Sequence, residues 1–150
     1  MTCETGKPAT LSEHSGAVQK HLEIMQGVVV RMADNSRSCK VWCVTLVAAT
    51  LVLVARAREP RHSLIALAPI ASFYVLDAYY LMLERGFRAS YDRFVAKVHA
   101  GNAEAADLYV VRPHGSLVAG FLWSLHRSIS VLPFYFMLAA TVFLAWRWVL

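Results

Sequence analysis

Three long apolar runs divide an otherwise polar and charged chain. Val41 to Ala55 carries no charge, Ser63 to Leu83 is interrupted only by Asp77, and Ser130 to Leu150 holds a single charge, Arg147. Between the first two lies Arg56-Ala-Arg-Glu-Pro-Arg61, a charged turn with a proline. Lipid offers no hydrogen-bond partners to a backbone, so a spanning segment is a helix or part of a closed barrel. Neither of the first two runs alternates with period two, which excludes barrel strands. The pattern therefore predicts an all-α membrane protein: an antiparallel helical hairpin with spans at 41–57 and 63–83, and a third, C-terminal span at 129–150. A span needs roughly 20 apolar residues, within about 17–25. The first run falls short and needs Lys40 and Arg56 to snorkel toward the headgroups.

The periodicity continues beyond the apolar runs. Val18, Leu22, Met25, Val29 and Met32 are spaced four, three, four and three. That is a seam with a 3.5-residue period, built to face another helix. Thr10-Leu-Ser-Glu13 has capping-box spacing, and Ser12 or Ser15 are alternative caps. No proline occurs between Pro8 and Pro60, so one helix is expected from about residue 13 to about 57. After Leu83 a second seam follows at Phe87, Tyr91, Phe94 and Val98, and Gly101-Asn102 is a stop signal. This predicts a helix from about 63 to 99. Ala103 to Val111 reads as a short helix, Arg112-Pro-His-Gly115 as a turn, and Ser116 to His126 as an interfacial segment or the lower part of the third span. Pro133 either kinks or starts that span, and Trp146 and Trp148 look like interfacial anchors.

Folding the two long helices back at 58–60 pairs residues whose numbers sum to roughly 118, given the helix rise. The expected pairs are Asp77 with Lys40 or Arg37, Glu84 with Arg31 or Asn35, and Phe87 with Val29 and Met32. Asp77 is a functional candidate because it is ionisable inside an apolar run. Three readings stand open: a structural ion pair, a pore-lining carboxylate, or a proton relay. Arg88 joins Asp77, Lys40, Arg31, Asn35, Arg37 and Glu84 as polar residues near the membrane edge.

Composition sharpens the membrane reading. Of the 150 residues 57% are hydrophobic and 17% charged, where a soluble domain has about a quarter charged. The chain is expected to form one membrane domain, 1–150, with a cytosolic arm and helix at 1–40 and a cytosolic extension and loop at 84–127. Residues 1–40 hold no apolar core of the kind a signal peptide needs. Eleven lysines and arginines fall on the N-terminal side in this topology and four on the other, which places the N-terminus in the cytoplasm, although the arginine-dense turn at 56–61 argues the other way. The net charge of +5 suits anionic headgroups, or a nucleic acid.

Catalytic constellations are not legible. Cys39 and Cys43 are four apart on one helix face, a strained spacing for a disulfide and too few ligands for zinc, and read as packing residues. None of the six histidines has the helical pairing with glutamate that a zinc hydrolase needs. Arg93 with His99 and Arg58 with His62 miss the four-residue separation of HEPN nucleases. No enzyme, metal or cofactor is expected.

Several segments carry a resemblance: His21-Leu-Glu-Ile-Met-Gln26, Arg31-Met-Ala-Asp-Asn35-Ser, Lys40-Val-Trp42-Cys-Val-Thr45, Asp77-Ala-Tyr-Tyr80, Glu84-Arg85-Gly-Phe87-Arg88 and Tyr91-Asp92. They lie within the stretch from His21 to Asp92, about half the chain, with a weaker likeness around Ser130 to Phe136. This pattern resembles the small membrane proteins of bacterial conflict systems, namely the SLATT class and the pore-forming accessory protein of RNA-targeting CRISPR systems. Arg37 stands where that pattern has an aromatic residue. The resemblance implies a homo-oligomeric ring in the lipid bilayer that permeabilises the membrane in anti-phage defence, alongside an RNA-guided or nucleotide-signalling partner. In such a ring the seams would form a cytosolic collar and the polar residues its mouth. Two other readings are a membrane scaffold whose basic cytosolic face recruits a protein or RNA, and a membrane-tethered HEPN-like nuclease.

Overall fold

The computed structural model describes residues 11–57, 60–128 and 131–149, without the side chains of residues 60, 117, 127, 148 and 149. All regular structure among them is helical. Helix α1 runs over Gly16–Ala57 and α2 over Leu67–His99, the latter preceded by a 3-10 segment at Pro60–Ala66. Helix α3 covers Leu117–Arg127 and α4 covers Leu132–Leu144, which ends in a π turn at Ala145–Val149. Thr10, Arg58 and Ser130, invoked above for a cap, a turn and the third run, lie outside the described residues.

The start and stop signals explain the boundaries. Helix α1 begins directly after Ser15, whose carbonyl accepts from Gln19 N–H at 3.1 Å. Helix α2 ends in a Schellman arrangement. Gly101 has φ +68°, Asn102 N–H donates to Lys97 C=O at 2.9 Å, and Gly101 N–H donates to Val98 C=O at 3.0 Å. Ser116 caps α3 by accepting from Ala119 N–H at 3.3 Å.

The C-terminal run is helical from Leu132 to Val149. Of the two roles open to Pro133, it takes the second: it sits in the first turn of α4, where its missing N–H costs nothing, and starts the helix. The apolar helix over Leu132–Arg147 is shorter than the two helices long and apolar enough to cross a membrane, Gly16–Ala57 and Arg61–His99. One expectation needs correction: Ala103 to Val111 is not a helix. It holds one 3-10 turn, Ala105–Asp107, and Tyr109 adopts φ +62°, which helical backbone does not allow.

The chain packs as two compact units, and α1 and α2 contribute to both. The first comprises residues 11–31 and 83–115. Its core joins Val18 and Met25 of α1 to Phe94 and Val98 of α2, with Ala103 closing it and Leu22 and Tyr91 packed alongside. Each fully buried apolar side chain of this size contributes about 1.5–3 kcal/mol. The second unit comprises residues 32–82 and 116–149. Its core joins Cys43 and Val47 of α1, Ile70 and Ala78 of α2, and Val131, Tyr135 and Val142 around α4. Small residues, among them Ala66, Ala78, Cys43, Ser63 and Ser124, fill much of its interior and let helices approach closely.

Candidate functional site

A charged, fully hydrogen-bonded triad lies inside the second unit. Asp77 is completely buried. Ser36 Oγ donates to one carboxylate oxygen of Asp77. Lys40 Nζ donates to the other at 2.5 Å and also to Ser36 Oγ at 3.3 Å. Ser36 and Lys40 are one helical turn apart on α1, which puts both on the face turned to α2. Lys40 keeps 22% of its side chain exposed, so its stem spans the distance between the buried carboxylate and the surface.

The surroundings reverse the usual arrangement of a soluble protein. Next to buried Asp77 and Ala78, the residues Val75, Leu76 and Tyr79 point outward, 50%, 40% and 45% exposed. Next to Lys40, Val41 and Trp42 are each 60% exposed. Tyr135 is buried in the same unit, with its ring edge-on to Tyr74 at 5.6 Å. The Ser124 hydroxyl is buried and makes no hydrogen bond among the described residues. Tyr74 donates to Leu125 C=O at 2.5 Å and ties α2 to α3.

The other polar candidates are placed differently. Arg37 is exposed and pairs with Asp34, one turn back on α1, at 3.1 Å. Glu84, expected to reach Arg31 or Asn35, instead pairs with Arg88 on its own helix at 2.8 Å. Arg88 lies one turn further along α2, so this pair forms without any tertiary register. Arg31 is exposed and Asn35 half-buried. Ser36, beside Asn35, is the residue that reaches across to α2.

The seam residues pack between α1 and α2. Val18, Met25, Phe94 and Val98 bury against one another within one chain, while Val29, Met32 and Phe87 are only half-buried. His21 sits among the buried seam residues, a role the sequence reading missed. It is 1% exposed, meets the Phe94 ring edge-on at 4.4 Å, and accepts Tyr109 N–H at Nδ1 at 3.0 Å. Burial pushes its imidazole below the usual value, against a smaller opposing pull from Asp107. Position 21 lies one residue before Leu22, on the flank of the seam, and that spacing was the available signal.

No known protein family, curated protein or solved structure matches this chain. No group of histidine, cysteine, aspartate or glutamate side chains among the described residues could hold a metal ion. The triad brings a hydroxyl, an ammonium and a carboxylate together, with Ser36 and Asp77 buried and Lys40 reaching the surface. Its geometry joins α1 to α2 inside an apolar shell.

Proposed function

We propose that this chain is a multi-pass membrane protein that assembles with copies of itself and permeabilises the bilayer. The observation that carries the membrane part is the reversed polarity of the second unit. A charged triad faces inward while valine, leucine and tryptophan side chains face outward. In water such a surface would be a large exposed apolar patch, which monomeric soluble proteins avoid. In lipid it is the expected arrangement, since intramembrane ionisable groups face the bundle interior. The two long helices support the same reading. Only 22% of the apolar window of each is buried, so neither is a core helix wrapped in protein.

Permeabilisation rests on the segment resemblance described above and on one physical requirement. A single helical hairpin cannot enclose water, so a conducting path needs several copies around an axis. The Asp77–Lys40 pair then acts first as a structural clamp between α1 and α2, and the faces available to neighbouring copies are those not already packed within the chain. Defence against phage, the inner membrane and a cytoplasmic N-terminus belong to the same proposal. The scaffold reading has less support. Residues 11–31 and 83–115 carry seven basic and six acidic side chains, a nearly balanced set with little attraction for RNA.

The mass of the detergent-solubilised particle tests the assembly. A particle of several chain masses after subtraction of bound detergent is expected. A monomer at every concentration would remove the permeabilising ring.

A further inference from the structure

The first unit carries a concave site that the membrane reading does not use. Helices α1 and α2 and the segment from the Ala105–Asp107 turn to Arg112 line an open cleft of about 180 Å³. Arg93, Lys97 and Arg112 line it together with Phe94, His21 and Asp107. We propose that this cavity binds a small phosphate-type oxyanion.

The charge inventory points that way. Lys97 is already committed: its ammonium donates to Asp107 at 2.7 Å, and Asp107 also accepts Glu104 N–H at 3.2 Å. The only carboxylate in the lining is therefore matched. Arg93 and Arg112 form no ion pair among the described residues. Arg93 instead lies 3.3 Å from a ring nitrogen of His114. Two guanidinium groups on one cavity are left to receive an anion, and their planar forks suit phosphate oxygens.

The wall that brings Arg112 to α2 is held by three separate features. Ser90 Oγ donates to Arg112 C=O at 2.6 Å. His114 N–H donates to Gly86 C=O at 2.9 Å. Gly86 has no side chain where a Cβ would stand 2.9 Å from Pro113 Cβ, so the loop can lie directly on the helix. The position of Arg112 is thus specified by contacts unrelated to its charge.

Size narrows the ligand. Pockets for drug-sized ligands span roughly 300–1,000 Å³, so this cleft seats an oxyanion head, with any larger attached group projecting through its open side. A free phosphate and the phosphomonoester head of a lipid share that chemistry.

Titration calorimetry on the full-length protein in nanodiscs of zwitterionic lipid decides the matter, with inorganic phosphate and glycerol phosphate as probes and chloride as the control. Saturable binding of one anion per chain is expected. Loss of one guanidinium contact in Arg93→Gln or Arg112→Gln should weaken it about tenfold or more, and Arg93→Lys should recover part of it. Both arginines are exposed, and unchanged melting of each variant would establish that the fold is intact. A parallel arm compares nanodiscs with and without phosphatidic acid. Competition by phosphatidic acid, lost in the arginine variants, assigns a lipid head, and its absence with retained phosphate binding assigns a free anion. No saturable binding of either probe in either nanodisc, or binding equal in wild type and both glutamine variants, would overturn the proposal.

Discussion

Removing Lys40 should damage the protein more than removing Asp77, although the two form one ion pair. In Lys40→Met the carboxylate stays fully buried with its cation gone and the Ser36 hydroxyl still donating to it. Stranding one member of a buried pair costs about 3–5 kcal/mol. In Asp77→Asn the amide still accepts from Ser36, and the Lys40 ammonium, on a side chain 22% exposed, can withdraw to water. That loss is closer to a hydrogen bond to a charged group, about 1.5–3 kcal/mol. In Lys40→Met/Asp77→Asn both charges vanish, no ion is left stranded, and the amide still accepts from the Ser36 hydroxyl. The double variant should therefore lose no more than Asp77→Asn alone, about 1.5–3 kcal/mol, so the single losses fail to add by about 3–5 kcal/mol. Unfolding in mixed micelles with rising SDS, followed by tryptophan fluorescence, reads all four proteins. Equal losses in the two single variants, or losses that simply add in the double, would show that the pair is not the clamp described.

Two further outcomes follow from the first unit. Gly86→Val places a side chain against Pro113 at a position where even a Cβ would stand 2.9 Å from it. Overpacking of this kind costs about 1–3 kcal/mol, and hydrogen exchange should rise at residues 112–115 while residues 43–51 stay protected. Acidification should loosen the same unit in two stages. Burial holds the folded His21 below its ordinary 6.5, so the unfolded chain takes up the proton first and stability falls as pH drops through 6.5. The Lys97 ammonium holds the folded Asp107 below its ordinary 3.8, so its contribution is present above 3.8 and is lost as pH falls further. Melting curves between neutral pH and pH 3 should show both stages, and His21→Gln should abolish only the first.

The legible parts of this chain were those fixed by strong local rules. A charge-free run and the absence of proline between Pro8 and Pro60 fixed the existence of α1; α2 was marked by its apolar run, with Pro69 confined to its first turn, and glycine at 101 fixed where it ends. The pairing of Lys40 with Asp77 was readable because an assumed tight turn sets helix register to within a residue or two, and Gln26 with Tyr91, bonded at 3.1 Å, obeys the same sum. Glu84 escaped that rule because Arg88 on its own helix satisfies it more cheaply than any distant partner. The 103–111 segment misled because its alanines favour a helix, while the Lys97–Asp107 and His21–Tyr109 contacts that hold it open are tertiary. The triad was half visible: Asp77 announced itself by charge, whereas Ser36 looks like any hydroxyl before a membrane segment. His21 was legible only through its place on the flank of the seam, three residues after Val18 and four before Met25, while its polar ring gave no sign that it would be buried.

Dye release from liposomes addresses the central claim most directly. Purified protein reconstituted at rising protein-to-lipid ratios into vesicles loaded with a small fluorescent dye should release it steeply, with a dependence on protein density greater than first order, as assembly of several copies requires. Vesicles that stay sealed at every density, with the protein inserted, would contradict it.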